Sequence, residues 1–117
     1  MSHPQDHPGH NTVICTYRVK PGNEEAFVKL LEKHWPALRS LGLATDQPPV
    51  IYQGLDREEK PYFVEIFQWA DDQAPGIAHQ SPEVMAIWEP MGALVEERGG
   101  RPPMEFPHVT PVQVNYS

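Results

Sequence analysis

The chain has 117 residues, of which 39% are hydrophobic, 21% charged and 9% aromatic, the size and mix of one small globular domain. Nine Lys and Arg against sixteen Asp and Glu give a formal charge of −7, and no basic cluster offsets it, which argues against nucleic-acid and anionic-membrane binding. Cys15 is the sole cysteine, so an intramolecular disulfide and a cysteine-rich zinc site are excluded, and no apolar run approaches the ~20 residues of a membrane-spanning helix.

Residues 1–11 carry His3, His7 and His10 but no apolar residue after Met1. They read as a mobile tail whose imidazoles lack the fixed geometry of a metal site. The stretch also lacks the pattern of a signal peptide, so a cytoplasmic location is expected. From Thr12 to Val19 the sequence alternates, with Val13, Cys15, Tyr17 and Val19 on one face of a first strand. Lys20 to Asn23 is a turn cluster with Asn23 as N-cap, and Glu24 and Glu25 stand where a helix dipole favours negative charge. The stripe Phe27, Leu30, Leu31, His34 and Leu38 predicts a helix ending near Ser40 to Gly42. Val50 to Leu55 and Tyr62 to Trp69 read as a hairpin joined by the charged Asp56 to Lys60. Asp71 or Asp72 caps a short helical turn around Ala74 to Gln80. Ser81-Pro82-Glu83 then starts a second main helix, with the stripe Val84, Ile87, Trp88, Met91, Leu94 and Val95, predicted to end at Gly99-Gly100. Met104 to Thr110 is a weak fourth strand, interrupted by Pro107 and placed at a sheet edge.

The order strand, helix, strand, strand, helix, strand is the ferredoxin-like βαββαβ arrangement. It is an α+β fold in which an antiparallel four-stranded sheet carries two main helices on one face. The domain spans 12–110, and 111–117 is a C-terminal tail. On the third strand Phe63, Phe67 and Trp69 point one way with Glu65 among them, while Tyr62, Val64 and Ile66 point the other. Both faces are therefore apolar. Leaving the second face bare would cost roughly 1.5–3 kcal/mol per large side chain, so a cover is expected. A second copy packing sheet to sheet as an isologous homodimer supplies one. The alternative is the tail itself, folding Val112, Val114 and Tyr116 back over the same face.

Three stretches carry a resemblance to a known family: Tyr17-Arg18-Val19-Lys20-Pro21-Gly22-Asn23-Glu24-Glu25-Ala26-Phe27, then Phe63-Val64-Glu65-Ile66-Phe67-Gln68-Trp69, then Ala78-His79-Gln80-Ser81-Pro82-Glu83-Val84 with Ile87-Trp88. The chain resembles the antibiotic biosynthesis monooxygenase family of dimeric α+β barrels over about residues 12–110. The resemblance implies a homodimer with a substrate pocket between helices and sheet in each subunit. It also implies cofactor-independent oxygenation of a small phenolic, quinol or otherwise enolisable aromatic. A noncatalytic dimer binding a small hydrophobic ligand is the alternative within the same fold. A haem-degrading branch uses an asparagine, a tryptophan and a histidine; the matching positions here are Cys15, Ala78 and Trp88, so haem degradation is not expected.

Cofactorless oxygenation needs a base, donors that hold the resulting anion, and an apolar pocket. His79, at the start of the second helix, and Glu65, alone among large apolar neighbours, are the candidate catalytic residues. For His79 the plain alternative is a bond to a nearby backbone group. Glu65 would be a base or donor if buried without a partner, and structural if paired with Arg18 or another cation. Tyr17, His34, Phe67, Trp69, Trp88 and Met91 are the candidate substrate-binding residues, with simple core packing as the alternative. Cys15 reads as a small buried hydrophobe. No cofactor and no metal ligand set are expected. Pro36 and Pro90 fall inside helical stretches and are expected to bend them, opening room for a ligand.

Overall fold

The computed structural model describes residues 11–116. The expected tail of 1–11 lies outside the described residues except for Asn11, whose carbonyl accepts a bond from the Trp69 N–H. In chain order the elements are β1 (Thr12–Tyr17), α1 (Glu24–Ser40), β2 (Val50–Leu55), β3 (Pro61–Gln68), α2 (Ala74–His79), α3 (Pro82–Ala93), β4 (Met104–Glu105) and β5 (His108–Val109). The sheet is antiparallel in the order β2-β3-β1-β4, with β5 also paired to β1. The expected α+β architecture is present, with the helices packed on one face. The expected fourth strand occurs as two two-residue pieces, because Pro107 at the break has no N–H to continue the ladder.

Register decides which side chains meet. Val13 stands opposite Phe67, Cys15 opposite Glu65 and Tyr17 opposite Phe63, so all six face the helices. Phe27, Leu31, His34 and Leu38 of α1, and Val84, Ile87 and Met91 of α3, close the core over them. Tyr17, Phe27 and Phe63 pack with ring centroids 4.9 and 5.4 Å apart in succession.

Two local expectations need correction. The Asn23 side chain makes no cap bond; the Gly22 N–H is instead taken by the Glu24 carboxylate at 2.7 Å. The second main helix stops at Ala93, not at Gly99, because the chain then pairs with the extension of β1. There Val95 bridges Val19, and Lys20 and Glu96 N–H groups bond to the Leu94 and Arg18 carbonyls. Neither Pro36 nor Pro90 ends its helix. Both prolines, like Glu32 and Ala86 four residues before them, lie on the exposed side of their helices, where a lost backbone bond costs least.

On the outer sheet face Tyr62, Val64 and Ile66 are half-buried, and Val50 and Tyr52 beside them are exposed. The C-terminal segment does not cover them. Val112, Val114 and Tyr116 are 80%, 52% and 90% exposed, which removes the fold-back alternative. No helix of the described residues is long and apolar enough to cross a membrane.

Candidate functional site

Four side chains from four elements form one hydrogen-bonded chain beneath α3. Tyr17 of β1 donates its hydroxyl to Glu65 Oε1 of β3 at 2.8 Å. His34 Nδ1 of α1 lies 2.9 Å from the same oxygen and 3.2 Å from Oε2. Trp88 of α3 donates its indole N–H to His34 Nε2 at 2.9 Å. The last bond fixes the protons. An indole N–H can only donate, so His34 Nε2 carries no proton, the single ring proton is on Nδ1, and Nδ1–H donates to Glu65. Glu65 thus accepts from two donors, the Tyr17 hydroxyl and the His34 Nδ1–H.

The sequence pattern explains the assembly. Strand alternation puts Glu65 and Tyr17 on the helix face, and the helical stripe puts His34 over them. A carboxylate with no exposure costs several kcal/mol to desolvate unless it is hydrogen-bonded, which is the work of Tyr17 and His34. Arg18, weighed as a partner for Glu65, points away: it pairs with Glu105 at 2.6 Å and donates to the Pro102 carbonyl. Burial and the nearby Glu65 charge push the Tyr17 phenol well above its ordinary range, and the same two causes push the Cys15 thiol up. Both stay protonated at neutral pH. Tyr17 is therefore a fixed donor and Cys15 an unreactive one.

Beside this network lies a cavity of about 390 Å³ between α3 and the β1 side of the sheet. The six expected binding residues, Tyr17, His34, Phe67, Trp69, Trp88 and Met91, all line it. Glu65 does not; it stands behind Tyr17 and His34, hydrogen-bonded to both. His79 forms part of the wall but is exposed, with its ring edge-on to Trp88 at 4.9 Å. No hydrogen bond orients it among the described residues. Trp69 carries the one buried side-chain polar atom without a hydrogen-bond partner among the described residues, its Nε1–H. A ligand oxygen reaching that donor would satisfy it.

Sequence reading missed three parts. Met104, Phe106 and His108 bring the broken edge strand into the cavity wall, with Phe106 edge-on to Tyr17 at 6.0 Å. Cys15 contributes to its floor, a position that strand alternation places beside Tyr17. The Trp88–His34 bond joins residues 54 apart and has no signal in either helix alone. Among the described residues no three His, Cys, Asp or Glu side chains are grouped as a metal site requires.

No known family profile matches the sequence, and no curated protein matches it. Solved structures share the fold. Similar chains include an antibiotic biosynthesis monooxygenase at 18% identity, covering 86% of this chain and 98% of that one with a TM-score of 0.60. They include a single-substitution mutant of SnoaB, a cofactor-independent oxygenase from Streptomyces nogalater, at 14% identity, covering 88% and 93% with a TM-score of 0.61. A NIPSNAP family protein from Agrobacterium tumefaciens, 15% identical and covering 93% of each chain, has a TM-score of 0.60. At these identities the likeness establishes the fold and leaves the reaction to the site.

Proposed function

We propose that the protein is a small-molecule enzyme that removes a proton from a phenolic or otherwise enolisable aromatic held in the cavity, and that the resulting anion reacts with dioxygen without a bound cofactor. The observation that carries this reading is His34 at the cavity wall with Glu65 bonded behind it. Glu65 holds the Nδ1 proton and leaves Nε2 as the basic atom; when Nε2 takes a proton, the imidazolium forms beside a buried carboxylate that stabilises it. Glu65 is then a positioning residue and His34 the base. Tyr17 holds the carboxylate in place, and the apolar wall of Phe67 and Met91 keeps water from the anion. With a phenol as substrate, dioxygen is the oxidant, one oxygen atom entering the ring to give a quinone and the other leaving as water. The name of the Streptomyces nogalater neighbour agrees with this class of chemistry. His79, exposed at the wall, is assigned to guiding the ligand in or releasing its proton to water.

The test is oxygen uptake with a panel of hydroquinones and phenols. Turnover by the natural protein, lost in His34→Ala and lowered on the order of a hundredfold in Glu65→Gln, supports the reading. Loss in His79→Ala with retention in His34→Ala would return the base to His79. A binding module without turnover is the second reading, favoured by one fact: every polar atom of the Tyr17–Glu65–His34–Trp88 chain is already paired internally. Ligand binding with no oxygen uptake would select it.

We also propose that a second copy covers the outer sheet face. Support comes from its apolar Val50, Tyr52, Val64 and Ile66, and from an extended C-terminal segment with Val112, Val114 and Tyr116 left to pack on a partner. Sedimentation should find a dimer, and a stable monomer would overturn the assignment. A lone buried thiol suits a reducing cytoplasm.

A further inference from the structure

We propose that Trp88 is a stand-in for the ligand: its indole N–H occupies the acceptor of His34 that a ligand hydroxyl takes over on binding. The cavity thereby admits hydroxyl-bearing aromatics and withholds its base from aromatics without one. The inference rests on the reading of His34 as the base and names the ligand group that reaches it.

Three observations carry it. His34 lines the cavity, and its Nε2 accepts a single bond, from the Trp88 indole N–H at 2.9 Å. Tyr17, His34 and Glu65 are at most 3% exposed, whereas Trp88 is half-buried. Moving any of the other three would strand polar groups inside the network; moving the Trp88 indole frees only His34 Nε2, the atom that a ligand hydroxyl then pairs. The helix around Trp88 is also weakened, since Pro90 has no N–H to give the Ala86 carbonyl. The indole is therefore the movable member of an otherwise fixed chain.

Exchange of one donor for another decides selectivity. A hydroxyl that displaces the indole restores the bond to Nε2, and the proton it brings is the one His34 then accepts. A methyl ether of the same shape displaces the indole and leaves Nε2 unpaired in an apolar wall, which weakens binding on the order of tenfold or more.

The experiment uses the natural full chain, 15N-labelled, titrated with 2-naphthol and with 2-methoxynaphthalene. The Trp88 indole N–H resonance is identified by its loss in Trp88→Phe, or by through-bond assignment should that variant not fold. At saturation with 2-naphthol the Trp88 resonance is expected to move toward the position of a water-exposed indole and the His34 Nε2 resonance to shift. The Trp35 indole, bonded to the Thr45 carbonyl, should stay in place. 2-Methoxynaphthalene is expected to bind about tenfold more weakly or worse. Binding of 2-naphthol with the Trp88 resonance unmoved, or equal binding of the two compounds, overturns the inference and leaves the base assignment standing. Binding of neither overturns both. Displacement of the indole without oxygen uptake supports the inference and removes only the oxygenase reading.

Discussion

Two buried polar clusters among the described residues are built differently. The inner one, Tyr17–Glu65–His34–Trp88, sets the Glu65 carboxyl between a phenol and an imidazole beside a largely apolar cavity. The outer one centres on Arg98, which bonds Asp56 at 3.1 Å and Glu96 at 2.9 Å and donates to the Pro61 and Val19 carbonyls. Arg98 ties the β2–β3 turn and the segment after α3 to the end of β1, and its guanidinium is saturated by opposite charge and backbone. The inner cluster contains no Lys or Arg. Charge matched by opposite charge holds loops together; in the proposed reading, a carboxylate behind an imidazole supports a nitrogen that accepts a proton.

The contrast should break in graded ways. Glu65→Ala strands the Tyr17 hydroxyl and the His34 Nδ1–H, and should cost about 3 kcal/mol in urea unfolding, with Glu65→Gln recovering most of it. Arg98→Ala should cost about 2 kcal/mol by the same measurement, yet leave 2-naphthol affinity unchanged because nothing it touches lines the cavity wall. Tyr17→Phe should cost about 1 kcal/mol at neutral pH. Its alkaline behaviour separates it further. Because the folded-state Tyr17 phenol titrates above the unfolded one, its contribution is complete below about pH 10 and is lost as pH rises through the folded value. Tyr17→Phe should flatten that alkaline loss, seen as chemical denaturation repeated from about pH 8 to about pH 11.

The smallest effect belongs to the outer cluster. Backbone N–H groups of Lys60 and Glu58, with Arg98 behind them, hold the Asp56 carboxyl below its usual range. Its folded value is depressed, so its contribution is present above the unfolded value and lost as pH falls through the folded one. Asp56→Asn should make thermal unfolding slightly less sensitive to acid, with the cavity untouched.

Much of the inner cluster is legible without the structure. Alternation on β3 singles out Glu65 as a carboxylate among aromatics, and helical spacing turns His34 inward, because periodicity depends on local geometry alone. Their meeting requires the β1–β3 register and the packing of α1, which no local pattern states. Sequence position favours His79 as the base for its place before the helix; the proposal moves that role to His34 because His79 is exposed and no hydrogen bond among the described residues orients it. The end of α3 escapes sequence reading because helix propensity through Leu94 and Val95 yields to pairing with Val19, a contact far apart in the chain. The edge strand supplies Phe106 and His108 unannounced, since a proline-broken pair of two-residue strands carries almost no alternation.

The central claim is the placement of one proton, on Nδ1 of His34. Two-dimensional long-range 1H–15N spectra of the free protein at neutral pH read it directly. A protonated Nδ1 with a bare Nε2, converted by Glu65→Gln to a mixed state, is the expected result. A proton on Nε2, or on both nitrogens, would contradict the donor role of Trp88 and the acid–base pair built on it.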